Sequence, residues 1–134
     1  MRPLAFIVIA AAAATCASSA ISEPRTAKAQ TRLQELLGDK TAGTPVDCLP
    51  THNDDMVVID DNTILFRVGR NSFYRNDPPG GCPPLGRGSF ALVTRTPSSA
   101  LCRGDIATVV DVPAKTTVGS CTLGEFVPYR RVQR

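Results

Sequence analysis

No tryptophan occurs in the chain, and its aromatic complement is two tyrosines and five phenylalanines in 134 residues. A core built from so few large rings is thin, and a small domain with a thin core needs reinforcement beyond burial. There is a single histidine, which argues against a histidine-rich zinc centre. No two cysteines stand in a C-x-x-C arrangement, so neither a zinc ribbon nor a thioredoxin-like redox site is indicated. The G-x-S-x-G nucleophile elbow, the G-x-x-x-x-G-K-[ST] phosphate loop and the D-x-D-x-D-G calcium loop are all missing. No cofactor is therefore expected. Charge of one sign is also missing: 15 Lys and Arg face 12 Asp and Glu, for a formal net charge of +3. That leaves no broad electropositive field, and nucleic acid is not an expected partner.

The first twenty residues read as a secretory signal peptide. Arg2 supplies a positive start, Leu4 to Thr15 an apolar stretch, and Ser18-Ser19-Ala20 the small residues of a cleavage site. Cleavage is expected after Ala20, with Ala27-Lys28-Ala29 as an alternative. The apolar run is shorter than the ~20 residues of a membrane span, and no later segment is longer, so no transmembrane segment is expected in the mature chain. Cys16 raises a lipoprotein alternative, although Thr15 and Ala13 suit the lipoprotein peptidase poorly. Cleavage removes Arg2 and no acid, lowering the formal charge to +2. The expected location is periplasmic or secreted.

Four cysteines then remain: Cys48, Cys82, Cys102 and Cys121. An even number in an exported chain reads as two disulfides. Three pairings are open; the favoured one joins Cys82 to Cys102 locally and ties Cys48 to Cys121. In the chain-entropy account each would stabilise by about 3–5 kcal/mol.

Residues 21–47 are expected to form a helix and linker, and residues 48–131 a disulfide-linked β domain. Ala27 to Leu37 favour helix, with Leu33, Leu36 and Leu37 on one side and Gly38 as C-cap. Alone it is too short to be stable, so it docks or frays. Met56–Ile59, Thr63–Val68 and Ser72–Arg75 read as a three-stranded meander, with turns at Asp60-Asp61-Asn62 and Gly69-Arg70-Asn71. Alternation places Ile64, Phe66 and Val68 on one face and Leu65 and Arg67 on the other. Asn76 to Gly88 is a Pro/Gly loop pinned by Cys82. Ser89–Thr94, Asp105–Asp111 and Cys121–Val127 make three further strands, with Gly124 as a bulge and Pro113 to Gly119 as a loop. The expected fold is mainly β: a small six-stranded antiparallel barrel or sandwich with a short N-terminal helix.

Several short motifs occur in order. They are Ile59-Asp60-Asp61-x-Thr63-Ile64-x-Phe66-Arg67, Tyr74-Arg75-Asn76, Cys82-Pro83-x-Leu85, Leu101-Cys102-x-x-Asp105 and Cys121-x-Leu123-Gly124-x-Phe126-x-Pro128. Together they resemble a family of short exported bacterial proteins known only as a domain of unknown function. The resemblance spans about residues 48–129 and implies an envelope location and a cysteine-bearing β domain. It implies no activity.

Candidate sites are sparse. His52 with Asp54 and Asp55 could hold a metal or supply a general base, but adjacent loop side chains diverge and a solvated acidic loop is the plainer reading. Asp60 and Asp61 suit a hairpin turn. Arg103-Gly104-Asp105 matches a cell-adhesion tripeptide, yet a turn after Cys102 accounts for it. Phe66, Phe73, Tyr74 and Phe90 could stack on bases or sugars; most should be core, with Tyr74 the one expected at the surface. Arg130, Arg131 and Arg134 form a basic tail. The expected function is a non-enzymatic module binding an envelope protein or ligand. The alternatives are a small hydrolase or metal-dependent enzyme at His52, Asp54 and Asp55, and an inhibitor acting through the preorganised Asn76–Gly88 loop.

Overall fold

A computed structural model of the chain describes residues 24–50 and 55–132. The expected signal peptide, Cys16, His52, Asp54 and Arg134 lie outside the described residues.

Helix α1 (Ala27–Leu37) has the bounds its sequence suggests. Thr26 is extended, and its hydroxyl oxygen accepts from the Ala29 amide at 3.3 Å, satisfying one of the free donors of the first turn. The Gly38 amide closes the other end on Gln34 O at 2.8 Å. Ala29, Leu33 and Leu37 recur every four residues and bury one stripe against Ile59, Leu65 and Phe73. Burying each leucine contributes about 1.5–3 kcal/mol, so the helix docks rather than frays.

Eight strands follow: β1 (Thr41–Ala42), β2 (Asp55–Asp60), β3 (Thr63–Val68), β4 (Ser72–Asn76), β5 (Phe90–Thr94), β6 (Ile106–Asp111), β7 (Thr116–Thr122) and β8 (Phe126–Arg130). They form two antiparallel sheets, one ordered β1-β8-β4-β3-β2 and the other β5-β6-β7. Period-two alternation sends Ile64, Phe66, Tyr74 and Phe126 to one face of the larger sheet. There they meet Ala107, Val109 and Cys121 of the smaller sheet, with Leu49, Leu85, Leu101 and Leu123 filling the space between. Phe66 and Phe126 meet edge to face, centroids 5.6 Å apart. The opposite face presents Leu65 and Phe73 to α1. The layers are therefore helix, five-stranded sheet and three-stranded sheet, with a core on each side of the larger sheet.

The fold is mainly β and antiparallel, as expected, but it has eight strands rather than six, and neither sheet closes into a barrel. Two differences produce the extra strands. Thr41–Ala42 pairs with β8 as a short edge. The run expected as one strand from Cys121 to Val127 is divided between sheets: it leaves the smaller at Thr122 and enters the larger at Phe126. Gly124 lies at that crossing and is not a bulge in a continuous strand. A Cβ on it would stand 2.8 Å from Asp77 O, so close backbone approach requires glycine there. Pro113–Gly119 was expected as loop, yet β7 begins at Thr116 and includes Gly119. A Cβ at Gly119 would stand 2.9 Å from Pro83 O, so the glycine serves packing rather than a turn.

Tyr74 is buried, not exposed. Both faces of the larger sheet are covered, so opposite-pointing Phe73 and Tyr74 are both core. The Tyr74 hydroxyl accepts from Arg130 Nη2 at 3.1 Å.

The disulfides are Cys48–Cys102 and Cys82–Cys121. The favoured pairing, Cys82–Cys102 with Cys48–Cys121, is therefore wrong, because sequence proximity is not spatial proximity here. Backbone bonds from Leu49 N to Leu101 O (2.9 Å) and Arg103 N to Asp47 O (2.6 Å) lay Cys48 directly opposite Cys102. Cys121 points inward from β7, where Cys82 of the Pro/Gly loop meets it.

Asn76 locks the crossing between sheets. Its side chain is fully buried. Nδ2 donates to Gly124 O at 2.8 Å, while Gly124 N donates to Oδ1 at 3.0 Å. The amide thus acts as a surrogate peptide unit, satisfying backbone groups that no strand partner reaches.

Candidate functional site

An open cleft of about 780 Å³ lies between α1 and the turn joining β2 to β3. Its helix wall is the stripe next to the docked one. Lys28, Arg32 and Glu35 follow each other at helical spacing on that side. Val58 and Ile59 contribute apolar surface from β2, the edge strand of the larger sheet. The opposite wall is the turn Asp60-Asp61-Asn62 with Gly86 and Arg87.

Polar bonds fix that turn. Asp60 Oδ2 accepts from Arg25 Nε at 2.7 Å and Asp60 Oδ1 from the Asn62 amide at 2.8 Å. Asp61 Oδ1 accepts from the Gly86 amide at 2.6 Å, and Asp61 O from the Cys82 amide at 2.6 Å. Gly86 packs so closely that a Cβ would stand 2.7 Å from Asp61 N. Arg25 Nη2 donates to Thr63 Oγ1, and Thr63 Oγ1 donates to Asp77 Oδ1 at 2.7 Å. Asp77 also pairs with Arg75, Nη2 to Oδ2 at 2.9 Å. Burial pulls the Arg75 guanidinium down, but the Asp77 carboxylate outweighs it and holds the group above its ordinary value. The disulfide-tethered loop thus clamps one wall, and the docked helix forms the other.

The residues singled out in the sequence fall elsewhere or are structural. Asp55 opens β2 opposite Arg67 and is exposed; its proposed companions His52 and Asp54 lie outside the described residues. Among the described residues no three His, Cys, Asp or Glu side chains gather as a metal-binding group. The Asn76–Gly88 loop turns inward, burying Asn76, Pro78, Gly81, Cys82 and Leu85, with the exposed remainder held to the β2–β3 turn. Asp105 Oδ2 accepts from the Cys102 amide at 2.8 Å, so the Arg103-Gly104-Asp105 turn is held by its own carboxylate. Phe66, Phe73 and Tyr74 are core and Phe90 is half-buried, which leaves no exposed stacking platform. Arg131 pairs with Asp39, whose carboxyl is held down to about 2 by Lys40 and Arg131. The cleft residues Lys28, Arg32 and Arg87 carried no motif; only their helical or loop setting was visible in the sequence.

No family model, no curated protein and no solved structure matches this chain.

Proposed function

We propose that this chain is an exported, non-enzymatic binding module whose ligand or partner group enters the cleft between α1 and the β2–β3 turn. The observation that carries the reading is the cleft itself. Its volume of about 780 Å³ falls within the few hundred to ~1,000 Å³ common for ligand sites. Its walls are rigid for stated reasons: a helix docked by three buried side chains, and a turn held by four hydrogen bonds to side chain or backbone. A preorganised site loses less entropy on binding. The exported location rests on the N-terminal signal pattern and on two disulfides, which persist in oxidising compartments. The resemblance to short exported proteins of unknown function belongs to the same reading.

The test is crosslinking in cells with a photoreactive residue placed at exposed Thr31, on the cleft wall. A reproducible adduct is expected, and it should vanish when Arg87→Trp obstructs the cleft from the other side. An adduct that forms equally from a reporter at Ala114, outside the cleft, would count against the proposal.

A further inference from the structure

We infer that strand β5 is an interface between two copies of this chain, its free edge pairing antiparallel with the same edge of a second copy about a two-fold axis at Leu92. No β5 residue lines the cleft, so this surface is additional to the one already described.

The order of the sheets leaves four outer strands, β1 and β2 on the larger and β5 and β7 on the smaller. An outer strand presents a row of unpaired amides and carbonyls, and folded proteins blunt such edges by shortness, charge, proline or a bulge. Three of the four are blunted. Strand β1 is two residues long, and the segment after it covers β8 through bonds from Gly43 N to Pro128 O at 2.7 Å and Val46 N to Phe126 O at 2.9 Å. Strand β2 carries Asp55 and Asp60 at its ends, and its register with β3 slips at Ile59. Strand β7 slips against β6 at Val118 and has Gly119 at its centre. Strand β5 has none of these devices. Its residues Phe90-Ala91-Leu92-Val93-Thr94 include no charge, proline or glycine, and they pair with β6 one for one without a slip. Among the described residues, no backbone hydrogen bond joins β5 to any segment but β6.

Register and charge point to a second copy as the occupant. Pairing about Leu92 sets Leu92 opposite Leu92 of the other copy, Ala91 opposite Val93 and Phe90 opposite Thr94, so no like charges meet. The same operation on β2 would bring the Asp55 end of one copy against the Asp60 end of the other. Leu92 is half-buried and Val93 is 44% exposed, and the added strand covers both. Opposite charges stand at each end of the pair. Arg95 follows Thr94, which meets Phe90 of the other copy, and Phe90 is itself paired with Asp111. Two strand spacings, about 10 Å, separate those backbones, a gap that a long arginine side chain spans towards a carboxylate. Among the described residues neither Arg95 nor Asp111 forms an ion pair. The joined sheet has β7 at both ends, where the register slip resists further addition, so assembly closes at two copies.

The experiment is hydrogen–deuterium exchange of the folded, disulfide-intact protein at low and at high micromolar concentration, with sedimentation velocity on the same samples. A dimer is expected in the concentrated sample. The outward amides of β5 should exchange more slowly there than in the dilute one, while those of β2 and β7 do not change. Val93→Lys puts a like charge on each side of the axis and should weaken dimerisation by about tenfold or more. Val118→Lys, at a valine of the same 44% exposure on β7, should leave it unchanged. Both valines face solvent, so both variants should melt cooperatively by circular dichroism, and the exchange measurement needs no variant at all. A monomer at every concentration would overturn the inference. So would a dimer whose added protection falls on β2 or β7, or one that Val93→Lys leaves intact.

Discussion

Replacing Asn76 with alanine should be the most costly single truncation of a polar side chain in this protein. In the folded chain the Asn76 amide satisfies the amide and carbonyl of Gly124, and adds a longer bond to Glu125 O at 3.3 Å. Gly124 is itself buried, so water cannot replace the lost partner without entering the core. Each orphaned buried backbone group costs about 1–3 kcal/mol. Two of them give roughly 3–4 kcal/mol, against a total stability of about 5–15 kcal/mol for an ordinary domain. For a domain of this size each kcal/mol moves Tm by about 4–8 °C, so Asn76→Ala should lower Tm by roughly 15–25 °C. Asn76→Asp should be worse at neutral pH, because a carboxylate oxygen would then face two carbonyl oxygens in a dry site. The assay is thermal and urea unfolding by far-ultraviolet circular dichroism with both disulfides intact. A fall in Tm below about 5 °C for the alanine variant would refute the reasoning, since the crossing would then not depend on these bonds.

Limited reduction should open Cys48–Cys102 before Cys82–Cys121, because Cys48 is exposed while Cys82 is fully buried; thiol labelling followed by mass spectrometry reads the order. Gly86→Ala should destabilise by about 1–3 kcal/mol, since its Cβ would stand 2.7–2.8 Å from backbone atoms of Asp60 and Asp61 that cannot swing aside; urea unfolding measures it. Leu33→Ala should cost about 2–4 kcal/mol and expose α1 to proteolysis, because Leu33 is the centre of the docked stripe. The Asp39 carboxyl is lowered from 3.8 to about 2, so its ion pairs contribute stability that is complete above the unfolded value and is lost as pH falls through the folded one. Arg131 should therefore loosen between about pH 4 and pH 2, visible as a shift of its side-chain resonance.

What the sequence reveals here is scaffold. Helix α1 was legible because Thr26, the leucine spacing and Gly38 all act locally. The β2–β3–β4 meander was legible because period-two alternation and two turns agree. The residues of the ordered short motifs turn out to hold the frame together. Asp60 and Asp61 clamp a turn, Asn76 grips Gly124, Asp105 bonds the Cys102 amide, and the cysteines pair. Long-range geometry was not legible. Gly119 and Gly124 resemble turn residues in sequence, but each is dictated by a carbonyl more than thirty residues away. Cys48 meets Cys102 because of a backbone ladder that no spacing encodes. The cleft was hidden for a related reason: Lys28 and Arg32 look like any solvated helix face until α1 docks and the Gly86–Arg87 segment closes the far side.

The order of the cysteines along the chain sets a constraint on biogenesis. Of the four cysteines from Cys48 onward, the bridges join the first to the third and the second to the fourth, so the two covalent loops interleave. A polypeptide emerging amino end first exposes Cys48 and then Cys82 before either native partner has appeared. Oxidation of thiols as they emerge would trap that mismatched couple. In an oxidising setting the native pairing would be favoured by oxidation that follows assembly of the sheets, or by thiol–disulfide exchange that undoes the premature bond.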